Sequence, residues 1–157
     1  MTFFELFGFK KPSFFVDEDQ VKSVYYSLSK KHHPDLLMND PEAHSKAVEM
    51  TSIINKAYSV LKSFYHRLAY VLELEGLLDK QRKQDLPMDF LMEMMELNEA
   101  KEDNNPIEIE KEIQQKLSNL ETKLLDKCKN FDLNQSSKVL SEIKDLYLKR
   151  KYLIRLL

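Results

Sequence analysis

"SLSKKHHPDLLMND" (residues 27–40) decides how this chain folds, because a charged helical pattern runs into it, stops at a proline and restarts beyond it. Upstream, Val21, Val24, Tyr25 and Leu28 recur at helical spacing and lie within about 100° of one another, a core-facing stripe that also takes in His32. Asp17 is a candidate cap for this helix, with Gln20 at the capping-box position. Lys22, Tyr26 and Lys30 form a second stripe, at about 0°, 40° and 80°, and continuing the helix puts His33 at about 20°, in line with the lysines. Pro34 disfavours helix at the residue before it and ends the segment. Residues 36–39 read as a loop, Asp40 as an N-cap and Pro41 as the first residue of the next helix. From there Ala47, Met50, Ile54, Ala57, Tyr58 and Leu61 share one face. The stretch is therefore the bend of a helical hairpin, with His33-Pro34-Asp35 at its turn.

The rest of the chain is helical on similar grounds. Its 157 residues contain only two glycines, Gly8 and Gly76, and five prolines. Glycines so far apart exclude a phosphate loop and a dinucleotide fingerprint, and a multi-stranded sheet lacks its turn signals. Residues 3–7 form a short apolar turn ending at Gly8, and a helix over about 64–75 ends at Gly76. Residues 77–87, "LLDKQRKQDLP", carry few core positions and read as a connection. Three helical patterns come next, over about 88–102, 106–131 and 133–157. The middle one places Ile113, Leu117, Leu120, Leu124, Cys128 and Phe131 at three- and four-residue steps. The last carries Val139, Ile143, Leu146, Leu153 and Leu157, with the tight connection expected around Asp132. Antiparallel neighbours make this a three-helix bundle.

Charge narrows the function classes. Residues 1–76 hold 9 Lys/Arg against 10 Asp/Glu, and residues 77–157 hold 15 against 16, so neither half is a basic nucleic-acid domain. One cysteine, Cys128, rules out an intramolecular disulfide and a zinc motif built on cysteine pairs. Its neighbours Leu124, Leu125 and Phe131 favour a buried, inert thiol that suits a reducing compartment. No apolar run reaches the ~20 residues of a membrane helix, and the N-terminal sequence lacks the pattern of a signal peptide.

Three chemistries compete for His32-His33-Pro34-Asp35. Adjacent histidines on a helix diverge by about 100° and do not chelate one ion together, and no third ligand is near in sequence. A hydrolytic His-Asp pair needs a nucleophile and an oxyanion hole, and Ser27 and Ser29 lie in no elbow motif. The third reading is a plain helix terminus, where a histidine complements the dipole and Pro-Asp makes an ordinary turn.

The company of the tripeptide favours a fourth. With Tyr25 and Leu28 upstream and "INKAYSVLKS" (53–62) on the partner helix, His33-Pro34-Asp35 resembles a J-domain. "FFELFGF", "YHRLAYVLELEG" (65–76, with Arg67, Tyr70, Leu72, Leu74 and Gly76) and "FLMEMMELNE" (90–99) narrow the resemblance to HscB, the J-protein family of iron–sulfur cluster assembly. Leu36 follows the aspartate where many J-domains have lysine, His32 stands where tyrosine is common, and Phe64 and Leu68 replace the usual proline and alanine.

The resemblance implies an all-α, L-shaped adaptor with a J-domain at 1–76, a linker at 77–87 and a three-helix scaffold-binding domain at 88–157. It implies docking on an HscA/DnaK-type chaperone through His33, Pro34 and Asp35, with Lys22, Tyr26 and Lys30 as the adjoining basic face. Basic residues on the rim speed encounter and set register. In "FLMEMMELNE", Phe90, Met94 and Leu97 form an inward face, while Leu91, Met92, Met95, Glu96 and Glu99 form a second, mixed apolar and acidic one. The second face either packs on the J-domain or holds a partner. The resemblance assigns it to an IscU-type scaffold, with Tyr147 or Leu148 completing the patch. The expected protein is a cytoplasmic monomer without catalytic residues, metal or cofactor, and with neither nucleic acid nor membrane as partner. Two alternatives stand beside it: a generic J-protein whose bundle recruits an unrelated client, and a small metal-dependent hydrolase using His32, His33 and Asp35.

Overall fold

The caps expected in the first half are formed by side chains. Asp17 accepts from the amides of Asp19 and Gln20, and Asp40 accepts from those of Glu42 and Ala43. The computed structural model describes residues 1–79, 81–82, 86–103 and 106–157, and among them the regular structure is seven α-helices and one 3-10 turn, with no strand. In order these are α1 (Phe3–Leu6), α2 (Glu18–Lys31), a 3-10 turn (Pro34–Leu37), α3 (Pro41–Leu61), α4 (Phe64–Leu74), α5 (Met88–Asp103), α6 (Pro106–Asn134) and α7 (Ser137–Leu156). The chain divides into two compact units, Met1–Val71 and Leu72–Leu157. Of the connection expected over 77–87, residues 80 and 83–85 lie outside the described residues.

In the first unit, α2 and α3 form the hairpin. Val21, Ala47, Ile54, Ala57 and Leu61 are buried between its helices and their neighbours, each large apolar side chain contributing about 1.5–3 kcal/mol. Tyr25 stacks on Tyr58 at 4.0 Å between ring centroids, and its hydroxyl donates to Asn55 Oδ1 at 2.8 Å. "NKAY" thus locks the two helices together: Asn55 and Tyr58 grip Tyr25, and Ala57 lets the backbones approach. The N-terminal segment supplies buried Phe4, Phe7 and Phe14, and α4 adds Leu68 and Val71. The Phe3 amide donates to the Tyr70 hydroxyl at 3.0 Å while the two rings stack at 4.7 Å, tying α1 to α4.

Arg67 is the one buried charged side chain among the described residues. Its Nε donates to Phe14 O at 2.7 Å, its Nη1 donates to Leu61 O, and its Nη2 lies 3.8 Å from the Glu18 carboxylate. A planar fork with several fixed donors satisfies two carbonyls at once, which an ammonium cannot do with equal geometry. One side chain therefore joins the N-terminal loop, the end of α3 and the start of α2.

In the second unit, Met94 and Leu97 of α5, Ile113 of α6 and Leu153 of α7 form a buried cluster, flanked by Phe90, Leu117, Leu120 and Tyr152. Further along, Leu124, Cys128, Phe131, Leu140 and Ile143 fill the seam between α6 and α7. Those two helices run antiparallel: Arg150 pairs with Glu121 at 3.1 Å, and Lys127 pairs with Glu142.

Three local expectations are corrected. α6 does not stop at Asp132 but continues to Asn134, and the turn falls at Gln135, whose φ of 54° puts a non-glycine residue in the left-handed region. The Gln135 amide donates to Phe131 O at 2.7 Å, capping a carbonyl left over at the helix end. On α7, Leu140 rather than Val139 is fully buried, and Leu157, at the helix end, is exposed. Residues 34–37 are a 3-10 turn, so the loop expected at 36–39 is ordered over its first half.

Candidate functional site

The hairpin bend is built from a helix end and a separate 3-10 turn, with His33 extended between them. α2 closes at Lys31, with the His32 amide donating to Leu28 O at 3.0 Å. His32 is half-buried, as its place on the core stripe requires, and its carbonyl accepts from the Thr51 hydroxyl of α3 at 3.2 Å. His33 then takes an extended backbone (φ −64°, ψ 126°), as expected before proline. It does not continue α2, so the expected alignment with the lysine stripe by helical extension is wrong. Instead His33 caps the 3-10 turn: its Nδ1 accepts from the Asp35 amide at 3.2 Å, and its carbonyl accepts from the Leu36 amide at 3.1 Å. The Asp35 carboxylate lies 3.7 Å from the same Nδ1 and is largely exposed.

His33 still comes beside α2, but over a different edge. Ser27, Lys30, Lys31, His33 and Leu36 line one open groove. Lys22, Tyr26 and Lys30 are all exposed on α2, and of these only Lys30 reaches the groove. Ser27, Lys31 and Leu36 were missed as groove residues. Their signal was available only once His33 was taken off the helix, because Ser27 and Lys31 lie on α2 at about 60–100° from Lys30. Leu36, Leu37 and Met38 are exposed in succession after the tripeptide.

The second candidate surface lies on α5. Phe90 faces inward, where it meets Tyr152 edge-on at 6.1 Å and the Lys149 ammonium at 5.5 Å. Met94 and Leu97 are buried. On the other side Met92, Met95, Glu96 and Glu99 are exposed, and Leu91 is half-buried. Met88, not singled out in the sequence, joins them at the start of the helix. Tyr147 is half-buried, its phenol pushed up in pKa mainly by that burial, and the Lys151 ammonium sits 5.8 Å from its ring. From α7 it is Lys149 and Tyr152, not Tyr147, that meet α5 at Phe90.

Residues 2–70 match the family described as DnaJ domain, and residues 86–157 match the family described as HSCB C-terminal oligomerisation domain. The chain is 34% identical over 155 residues to the co-chaperone protein HscB of Buchnera aphidicola subsp. Acyrthosiphon pisum (strain Tuc7), covering 93% of this chain and 87% of that protein. It is 40% identical over 105 residues to the co-chaperone protein HscB homolog of Vibrio cholerae serotype O1 (strain M66-2), which spans 65% of this chain and 60% of that protein's length. Its fold matches the crystal structure of human co-chaperone protein HscB with a TM-score of 0.72 and 24% identity, over 99% of this chain and 78% of that one.

Proposed function

The chain belongs to the HscB family of J-domain co-chaperones, and on that premise we propose that it couples an IscU-type iron–sulfur scaffold to an HscA/DnaK-type chaperone and stimulates that chaperone's ATPase. The family is one of co-chaperones rather than enzymes, and the hydrolysis belongs to the partner. The domains of the proposal are a J-domain at 1–76, a linker at 77–87 and a scaffold-binding domain at 88–157, in a cytoplasmic protein that acts as a single copy.

The observation that carries this reading is that the chain has two unlike exposed surfaces, each backed by a buried core. At the hairpin bend, His33, Pro34 and Asp35 present a capped turn beside Lys30, with Lys22 and Tyr26 farther up α2. Cations there raise the encounter rate with an acidic surface and fix register, while the turn makes the specific contacts. On α5, Leu91, Met92 and Met95 offer adaptable apolar area beside Glu96 and Glu99. Burying a methionine from water contributes about 1.5–3 kcal/mol, enough for a few such side chains to hold a partner against the cost of association. Tyr147 enters the proposal as an edge of the patch, reached by the partner rather than by α5.

The test is a steady-state ATPase assay with purified chaperone, this protein and scaffold in all combinations. The protein alone should stimulate hydrolysis, and adding scaffold should raise stimulation further at equal chaperone concentration. No stimulation by the protein alone refutes the J-domain role. Stimulation indifferent to scaffold points to the generic J-protein with another client.

A further inference from the structure

We propose that Met88, Met92 and Met95 are a reversible oxidation site whose sulfoxide form releases the scaffold, an inference that rests on the α5 face being the scaffold surface. The three residues stand at i, i+4 and i+7 and fall within about 60° of one another around the helix. They are 68%, 56% and 59% exposed, whereas Met94, in the same short run, is 1% exposed and packed with Leu97, Ile113 and Leu153. Four of the eight residues from 88 to 95 are methionine. Leucine offers equal helix propensity and similar apolar volume, so neither helix formation nor burial accounts for thioethers at three water-facing positions. What the thioether adds is a soft, adaptable contact and a sulfur open to two-electron oxidants.

The oxidant class is a peroxide. A sulfur lone pair attacks one oxygen of hydrogen peroxide, the S–O bond forms as the O–O bond breaks, and the displaced hydroxide takes the proton of the sulfur-bound hydroxyl and leaves as water, giving the sulfoxide. Sulfur loses two electrons and the peroxide gains them. A thiol-dependent methionine sulfoxide reductase reverses the step: two thiols become a disulfide, and the oxygen leaves as water. Each sulfoxide sets a strong acceptor into a surface meant for apolar contact. Nearby Glu96 and Glu99 are exposed carboxylates, themselves acceptors, and offer it no donor when ionised. An acceptor buried without a partner weakens binding about tenfold or more.

The experiment uses the full chain carrying Met38→Leu, which removes the exposed methionine near the hairpin bend, with and without M88L/M92L/M95L. Both proteins are treated with dilute hydrogen peroxide, the sulfoxides are mapped by peptide mass spectrometry, and affinity for purified IscU-type scaffold is measured by calorimetry before and after. Met88, Met92 and Met95 should gain oxygen well before Met94. Scaffold Kd should rise at least tenfold in the parent and stay constant across treatment in the leucine variant, and a sulfoxide reductase should restore the parent. Full conversion at the three sites with unchanged Kd overturns the inference, as does an equal loss in the leucine variant. If the untreated parent does not bind scaffold at all, the assignment of the α5 face falls, and the inference with it.

Discussion

Removing the Arg67 guanidinium should unfasten the first unit without touching either proposed contact surface. Arg67 is 2% exposed, and its fork satisfies the carbonyls of Phe14 and Leu61. In Arg67→Leu both buried carbonyls lose the guanidinium bond, at about 1–3 kcal/mol each. The pair with Glu18 adds little, because that carboxylate is exposed and 3.8 Å away. Stacking on Phe64, with the guanidinium carbon 5.7 Å from the ring centroid, contributes about 0.5–1 kcal/mol. Set against the relief of no longer burying a charge, the net loss is about 3 kcal/mol. Amide exchange limited by unfolding of that unit should then quicken by roughly a hundredfold. The assay is hydrogen exchange of the whole chain read by mass spectrometry, comparing peptides from residues 1–71 with those from 72–157. Arg67→Lys, which keeps the charge but loses the fork, should fall between wild type and leucine. Protection in residues 1–71 unchanged within about 0.5 kcal/mol would refute the idea that this arginine fastens the unit.

His33→Gln should leave the circular dichroism melt nearly unchanged, since the ring is exposed and makes one local bond, yet abolish ATPase stimulation; surviving stimulation would refute the role of the turn. Replacing Leu91, Met92 and Met95 together with alanine should weaken scaffold binding at least tenfold while scaffold-independent stimulation persists, and unchanged affinity would sink the patch. Burial, helped by the Asp132 charge, pushes the Cys128 thiol from 9.0 to about 12. The folded state thus holds its proton more tightly than the unfolded state, so this contribution to stability is complete below about pH 9 and is lost as pH rises toward 12. Urea midpoints from pH 8 to 11 should decline less steeply in Cys128→Ala than in the parent, and identical slopes would contradict a buried thiol.

The helices were readable because their stripes are long and their caps are side chains: Asp17 and Asp40 announce α2 and α3 as plainly as any residue in the chain. Both faces of α5 were readable too, since apolar residues in excess of one stripe must end up somewhere. The features that escaped the sequence depend on tertiary partners or on backbone freedom. Periodicity carries no term for a turn, so it placed His33 on an imaginary extension of α2, whereas the restriction imposed by Pro34 swings it off the axis. The end of α6 was misplaced because glutamine, not glycine, takes the left-handed position at 135. Arg67 matched a family pattern, but an arginine on an amphipathic helix reads as solvent-facing. Only the two carbonyls brought to it from 53 and 6 residues away make its burial intelligible.

The Thr51 hydroxyl has a consequence that reaches beyond one hydrogen bond. By holding the carbonyl of His32, it clamps the root of the bend to the middle of α3, and the two bonds made by His33 stiffen the turn at Pro34–Leu37. Amide exchange at Asp35 and Leu36 should be slowed by these bonds, and free exchange at both would contradict a stiff turn. Entropy is therefore surrendered while the chain folds, not when a partner arrives. A preorganised turn of this kind could release a partner and be used again without relearning its shape, as the proposed co-chaperone role would require.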